Sequence, residues 1–399
     1  MEYIKILKQF IKKSLKYNFF YKNYFKQFDI IIFDDIMPSS LSPWRSYEFN
    51  NLCKCFYKVK VFTDLKTFSK YNSGYSFKKS LQILKQNYFY LSRSIKRFSL
   101  MNNINSKLFY FVFYTNANTY YKIAEQNKIN FVFTLYPGGG FQLNNQATEN
   151  SLKKIFESKY FKGVIVNQFH VKEYLVNQKL CDENKIKIIS GVPINFEIKS
   201  LEVDLKKFNG DLKILFFGNK YTKNGEDKGF DIFQEVANIL INKIPNLSFH
   251  IIGNFDENDL KHELLINYFT FHGVLNEEAY MKIINKTQII ISPNRPFILS
   301  PHAFDGFPLA TCVEASLFNN LIMASDYFNE SAKLNLVDNV DFIKVNYNPI
   351  KISDKIILLN KNRDQIKQIS ISGKAKIMEI YSHKNQIKPR IELFNNILQ

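Results

Sequence analysis

Short apolar runs bounded by turn formers recur along the chain, and most are too short for helices and too continuous for half-exposed strands. The first is Asp29-Ile-Ile-Ile-Phe33, which ends in Asp34-Asp35. A loop rich in Pro38, Ser39, Ser40, Ser42 and Pro43 follows it. Trp44 to Tyr57 then reads as a helix and Lys58–Phe62 as a second strand. Residues 66–100 read as helical and basic. Phe109–Phe113 runs into Tyr114-Thr-Asn116, and Asn130–Thr134 runs into Tyr136-Pro137-Gly138-Gly139-Gly140-Phe141, with a helix near Thr119–Lys128 between them. Gly163–Asn167 and Lys185–Ile189 are further strands, separated by a helix near Val171–Gln178.

The pattern then breaks. A polar stretch over 196–210 reads as a linker, after which the alternation restarts. Strands are expected at Lys213–Phe217, Ser248–Ile252, Tyr268–Phe271, Gln288–Ser292 and Leu321–Ala324, with helices near 229–243, 258–266, 277–285 and 310–318. Buried strands alternating with helices imply parallel sheets with helices on both faces. Two such runs imply an α/β chain of two Rossmann-like, doubly wound domains, over 1–195 and 211–375. The end of the chain, 376–399, reads as a helical tail, with a return to the N-terminal domain as one option for it.

Composition changes this picture little. The chain has 399 residues, 46% hydrophobic and 23% charged, which fits a globular protein of more than one domain. The formal net charge of +18 matters more, because it attracts polyanions or anionic lipid. A solvated basic surface explains it equally well. Nucleic acid is not an expected partner, since the Phe and Tyr residues fall mostly in strand and helix cores rather than along a basic stripe. Ile4, Leu7, Ile11 and Leu15 repeat at helical spacing among lysines, a basic amphipathic pattern that fits either an anionic membrane or the helix's own domain. No apolar run is long enough to cross a membrane. Cys53, Cys55, Cys181 and Cys312 have no metal-ligand spacing and read as free thiols of a reducing compartment. The histidines form no ligand pair or triad, and His302 falls in a loop where a substrate contact is one option. Asp34-Asp35 fits a surface loop better than a metal-binding pair.

Chemistry concentrates in Phe304-Asp305-Gly306-Phe307-Pro308-Leu309-Ala310, which leads into a helix carrying Glu314-Ala315. A Gly/Pro turn entering a helix exposes backbone N–H groups that favour an anion. Gly306 permits close backbone approach, and Glu314 suits ribose hydroxyls. The same residues also fit an ordinary strand-to-helix loop.

In order along the chain, Ile214-Leu-Phe-Phe-Gly218, Lys228-Gly229-Phe230-Asp231, Phe249-His-Ile-Ile-Gly253, Phe271-His272-Gly273-Val274, Ile289-Ile-Ile-Ser292-Pro293 and Asp305–Leu309 with Glu314-Ala315 resemble the retaining glycosyltransferases of family 4, also called group 1. The resemblance is strong over 210–330 and weaker over 28–195. It implies the GT-B architecture, two Rossmann-like domains facing a cleft. It also implies a nucleotide-sugar donor on the C-terminal domain and a glycan or lipid-linked acceptor, as in lipopolysaccharide or capsule synthesis. A cytoplasmic enzyme, peripheral on the inner face of the membrane, would follow. No cofactor is expected, because the family neutralises the leaving diphosphate with two basic side chains in place of a metal.

Lys228 matches one of the two. The other usually follows the glycine of the first strand, where this chain has Asn219, so Lys220 is the candidate. By resemblance Asp305 touches the sugar, and Gly218, His272, Val274, Gly306, Phe307, Pro308, Leu309 and Glu314 hold the donor. Asn116, Tyr136, Gly138, Gly139 and Gly140 stand on the acceptor or sugar side. Two features depart from the family. Eight residues separate Asp305 from Glu314 where the family has seven, and no histidine ends the N-domain strands. Another GT-B enzyme, such as a nucleotide-sugar epimerase, and a non-enzymatic polyanion binder are the alternatives.

Overall fold

A computed structural model describes residues 27–39, 42–64, 68, 76–99, 102–196, 203 and 205–399. The amphipathic pattern at Ile4–Leu15 and residues 197–202 and 204 of the expected linker lie outside them.

The first sheet has seven strands: β1 Phe28–Asp34, β2 Val59–Thr63, β3 Ile95–Arg97, β4 Ser106–Val112, β5 Asn130–Leu135, β6 Phe161–Val166 and β7 Ile186–Ile188. Their order is β3-β2-β1-β4-β5-β6-β7, and every pairing is parallel. The second has six: β8 Leu212–Phe217, β9 Leu247–Ile252, β10 Phe269–Phe271, β11 Ile289–Ser292, β12 Leu321–Ala324 and β13 Ile343–Lys344. Its order is β10-β9-β8-β11-β12-β13, again all parallel. Both sheets reverse their winding direction once, between β1 and β4 and between β8 and β11. In such sheets the crevice for a ligand opens at the carboxyl ends of the strands at that reversal.

Side-chain alternation explains the apolar runs. In the first sheet Ile31, Phe33, Phe109, Phe111, Phe131 and Phe133 pack one face. Ile30, Ile32, Leu108, Tyr110 and Val132 pack the other. In the second, Ile214, Phe216, Phe249, Ile251, Ile289 and Ile291 face one way, and Leu215, Ile252, Ile290 and Ile322 the other. Burial on both faces removes the polar positions that an exposed sheet would show.

Several elements differ from the sequence pattern. The helix after β4 starts at Tyr114, not near Thr119, because Phe113 at φ 73° turns the chain at once. The 258–266 segment forms two 3-10 turns, Glu257–Asp259 and Glu263–Asn267, the first closed by an Asp256/Asp259 capping box. The short strands β3 and β13 and the helix Glu330–Leu334 carry too few residues for a periodic signal.

The final helix, His383–Leu398, packs on the N-terminal sheet. Phe394 lies 5.0 Å from the Tyr110 ring centroid. Arg390, fully buried, donates to the Tyr136 hydroxyl at 3.1 Å and pairs with Glu48 at 3.5 Å. The domains also meet near the helix Phe169–Asn177. There the Glu330 carboxylate accepts from the Phe169 and His170 amides at 2.9 and 2.8 Å. Among the described residues, no helix is long and apolar enough to cross a membrane.

Candidate active site

A cleft of about 470 Å³ opens where both sheets reverse, between the ends of β1, β4 and β5 on one side and β8 and β11 on the other. Asp35, Trp44, Arg45, Phe113, Gly138 and Gly139 line its N-terminal wall. Asn219, Tyr221, Asp227, Lys228, Arg295 and Asp305 line the C-terminal wall.

On the C-terminal wall, the turn Glu226–Lys228 is pressed against the exit of β11. A Cβ on the next residue, Gly229, at φ 72°, would meet the Pro293 carbonyl oxygen at 2.2 Å. This holds Lys228 with 8% exposure and its ammonium 2.5 Å from Asp305 Oδ2. Asp227 Oδ2 is 3.8 Å away on the other side. Burial disfavours the charged ammonium, but the Asp305 carboxylate outweighs it and holds the lysine above its ordinary range. Asn294 donates to the same Asp305 oxygen at 2.9 Å. Gly218 backs the lysine stem, 3.8 Å from Lys228 Cγ to a Cβ built on the glycine.

Arg295 leaves β11 three residues past its end and is held as a fork. Nη2 donates to Asp231 Oδ2 at 2.7 Å, and both Nη2 and Nε donate to the Glu226 carbonyl, at 3.1 and 3.2 Å. Arg295 also lines the cleft. Lys220 lies elsewhere: its ammonium forms an ion pair with Asp259, and its amide donates to Asn254 Oδ1 at 2.7 Å. The second cation on this wall is therefore Arg295, a residue that the sequence reading passed over. Its one signal was position, directly past a strand at the reversal point.

On the N-terminal wall, Asp34 Oδ1 accepts from the Ile36 and Met37 amides, both at 2.9 Å, and caps the turn after β1. Arg45 Nη1 bridges Asp34 Oδ2 at 2.9 Å and Asp35 Oδ1 at 2.6 Å. Its guanidinium lies 4.6 Å from the Phe113 ring centroid and 5.2 Å from that of Trp44. The acidic pair is thus tied to an arginine. Gly138, Gly139 and Gly140 all have positive φ. A Cβ on Gly139 would sit 2.3 Å from the Phe113 ring, so only glycine lets this turn close on β4. Gly138 has nothing within 4 Å of a Cβ position and presents bare backbone to the cleft.

The remaining candidates separate. Gly306 borders the cleft beside Gln168 and Pro137. Gln168 clasps the Phe307 peptide, accepting from its amide at 2.9 Å and donating to its carbonyl at 3.2 Å, so the turn is pinned by the opposite domain. Phe307 packs against Phe342, and Leu309 caps the helix Ala310–Ser316, with Pro308 buried between them. Glu314, 5% exposed, lies one turn into that helix beside the Tyr280 hydroxyl, outside the cleft lining. The pKa of that hydroxyl is pushed up, first by burial and then by the Glu314 charge. Tyr136 and Asn116 do not reach the cleft. Tyr136 joins the buried Arg390–Glu48 network, and Asn116 Nδ2 donates to the Val112 carbonyl at 2.7 Å. His302 accepts the Leu143 amide through its carbonyl at 3.1 Å, another interdomain bond.

His272 and Val274 stand on the loop after β10, beside Gly253, whose amide donates to the Gly273 carbonyl at 2.9 Å. Val274 is 54% exposed. His272 Nε2 and His250 Nδ1 are 3.0 Å apart with their rings stacked. Burial, then the facing His272, pushes the His250 ring down to about 4, and burial also lowers His272. The folded state therefore favours the neutral ring, and the unfolded chain binds more protons between pH 6.5 and 4. Stability is full above that window and falls as pH drops through it, by about 1–2 kcal/mol after allowance for partial exposure. Thermal unfolding at stepped pH, with His250→Asn flattening the profile, checks this.

No protein-family model matches the sequence, and no curated protein does. Solved structures do match. A glycosyltransferase from Rickettsia africae aligns over 94% of this chain and 100% of its own, at 16% identity and a TM-score of 0.64. HepE from Anabaena, solved with UDP and glucose, aligns over 93% and 100%, at 12% identity and 0.68. Sucrose-phosphate synthase from Thermosynechococcus elongatus aligns over 93% and 99%, at 11% identity and 0.65. Two fully parallel, doubly wound sheets facing one cleft, aligned along nearly the whole length of such enzymes, give this chain the GT-B glycosyltransferase fold.

Proposed function

We propose that the protein is a nucleotide-sugar-dependent glycosyltransferase that moves a glycosyl group to a hydroxyl of a glycan or lipid-linked acceptor, in surface polysaccharide assembly. One observation carries the reading. Lys228 and Arg295 converge on one wall of a cleft at the reversal of both sheets, facing glycine backbone, Trp44 and Asp35 on the other. Two fixed cations beside a polar wall suit a diphosphate that gains charge as its glycosidic bond breaks. HepE, which shares the fold, has been solved with UDP-glucose.

In this reading Lys228 and Arg295 bind the diphosphate, and Asp305 exchanges its ion pair with Lys228 for hydroxyls of the donor sugar. Glu314 takes the ribose, and the His272–Val274 loop lies along the base. Transfer proceeds with retention. The acceptor oxygen bonds to the anomeric carbon on the face from which the phosphate oxygen leaves, and the acceptor's proton passes to that departing oxygen. The cations do the work that a divalent metal would do, so EDTA is expected to leave the rate unchanged. A loss restored by magnesium or manganese contradicts this part.

The test is a screen of UDP-, GDP- and ADP-sugars for slow hydrolysis and transfer, with Lys228→Ala and Glu314→Ala alongside. One donor should turn over, and both substitutions should weaken it in folded protein. Turnover of a donor to its epimer, with no acceptor, would replace this reading with an epimerase. Failure of every donor would remove both.

A further inference from the structure

The N-terminal wall of the cleft carries a charge opposite to that of the whole chain. The formal net charge is +18, yet this wall sets two carboxylates, Asp34 and Asp35, against one guanidinium, Arg45. The Asp35 side chain is 24% exposed, against 7% for Arg45 and none for Asp34, so the charge most open to the cleft is the Asp35 carboxylate. Among the described residues that line this wall, Arg45 is the only cation. Lys228 and Arg295 stand on the facing wall.

Apolar surface stands beside that carboxylate. Trp44, the chain's single tryptophan, is half-buried and lines the cleft. Its ring is held by Tyr136 at 4.9 Å and Phe113 at 6.1 Å between centroids. Arg45 binds Asp35 at 2.6 Å and lies 5.2 Å from the Trp44 centroid, so one guanidinium fixes ring and carboxylate in a single patch. Gly138 adds backbone with open space where a Cβ would stand. A pyranose matches such a patch. Its C–H bonds form an apolar face that packs on an aromatic ring, and its hydroxyls donate to a carboxylate in charge-assisted hydrogen bonds. A phosphate ester does not match, because it would set a second anion beside Asp35.

We infer that Trp44 and Asp35 are specificity-determining residues, which select an unphosphorylated sugar ring as the acceptor and reject sugar phosphates. The inference rests on the transferase reading and narrows it. The cations of the cleft serve the donor diphosphate, and the Asp35 carboxylate serves the acceptor hydroxyls. Asp35 orients the acceptor and takes no proton from it, since the acceptor's proton passes to the departing phosphate oxygen.

The test is fluorescence titration of the full chain with methyl glycosides of glucose, galactose, mannose and N-acetylglucosamine, and with the 6-phosphates of the same glycosides. Each titration is run with and without UDP, GDP or ADP. Trp44 is the only indole, so its emission reports this wall and no other site. At least one neutral glycoside should shift that emission, and its 6-phosphate should bind about a hundredfold more weakly. Asp35→Asn should weaken the neutral sugar about tenfold and narrow the gap to its phosphate, a change in preference that a merely structural role does not produce. By calorimetry, Trp44→Ala should lose about tenfold in affinity for the neutral sugar, and Trp44→Phe should recover most of it. The wild-type preference and the Trp44 variants decide the matter even if Asp35→Asn, which takes a partner from Arg45, unfolds. Three results each overturn the inference: a nucleotide that binds with no Trp44 response to any neutral sugar, a sugar phosphate that binds as tightly as its parent, or an unchanged gap in folded Asp35→Asn. A Trp44 response to a neutral sugar with no nucleotide bound supports the sugar site and removes the transferase reading instead.

Discussion

Lys228→Ala is expected to lower the rate of sugar transfer by about a thousandfold, the upper range for one preorganised charge at a reacting centre. The ammonium is nearly buried and reaches an ion pair 2.5 Å from Asp305 without rearrangement, so it is in place before the donor arrives. The substitution removes the charge and leaves Asp305 and Asp227 facing each other. For a fully buried pair such orphaning costs about 3–5 kcal/mol of stability. The Asp305 side chain is 34% exposed, which lessens that cost. Lys228→Ala/Asp305→Asn removes the orphan and separates the two effects. Its stability should recover while its transfer rate stays low. Steady-state transfer kinetics with thermal unfolding read both.

Arg295→Ala is expected to weaken nucleoside-diphosphate binding about thirtyfold, the range of a charge-assisted hydrogen bond lost from a preorganised donor. Arg295→Lys should rescue little, because a lysine cannot hold Asp231 and the Glu226 carbonyl while reaching the ligand. Lys220→Ala should leave binding nearly unchanged, since its ammonium is engaged by Asp259. Titrations of the three variants decide which cation neutralises the diphosphate. A large loss with Lys220→Ala and none with Arg295→Ala would move the diphosphate to the opposite side of the β8 exit.

The two-sheet architecture was legible because each strand is a run of apolar residues buried on both faces. Ile30–Phe33 and Ile289–Ile291 leave no other reading. Lys228 and Asp305 each entered as candidates through the resemblance of their segments to the family, and their mutual ion pair became visible only in the fold. What the sequence hid depends on contacts with distant partners. Lys220 and Arg295 are both basic residues just past strand ends, and only Asp259 and Asp231, on other segments, decide where each one points. Tyr136 and Asn116 follow the strand ends that feed the cleft. The turn at Phe113 and the incoming Arg390 direct them into the core instead. The N-terminal wall was the least legible part. Arg45 reaches the cleft only because Asp34 and Asp35 bridge it there, and neither residue type nor spacing marks that trio as a site.

The central claim is that the wall carrying Lys228 and Arg295 holds a nucleoside diphosphate. Its most direct test is calorimetric titration of UDP, GDP and ADP into wild type, Lys228→Ala and Arg295→Ala. Saturable binding of one of them by wild type, weakened in both variants while their unfolding stays cooperative, is the predicted result. Binding that ignores both substitutions, or no binding of any of the three, would contradict the claim.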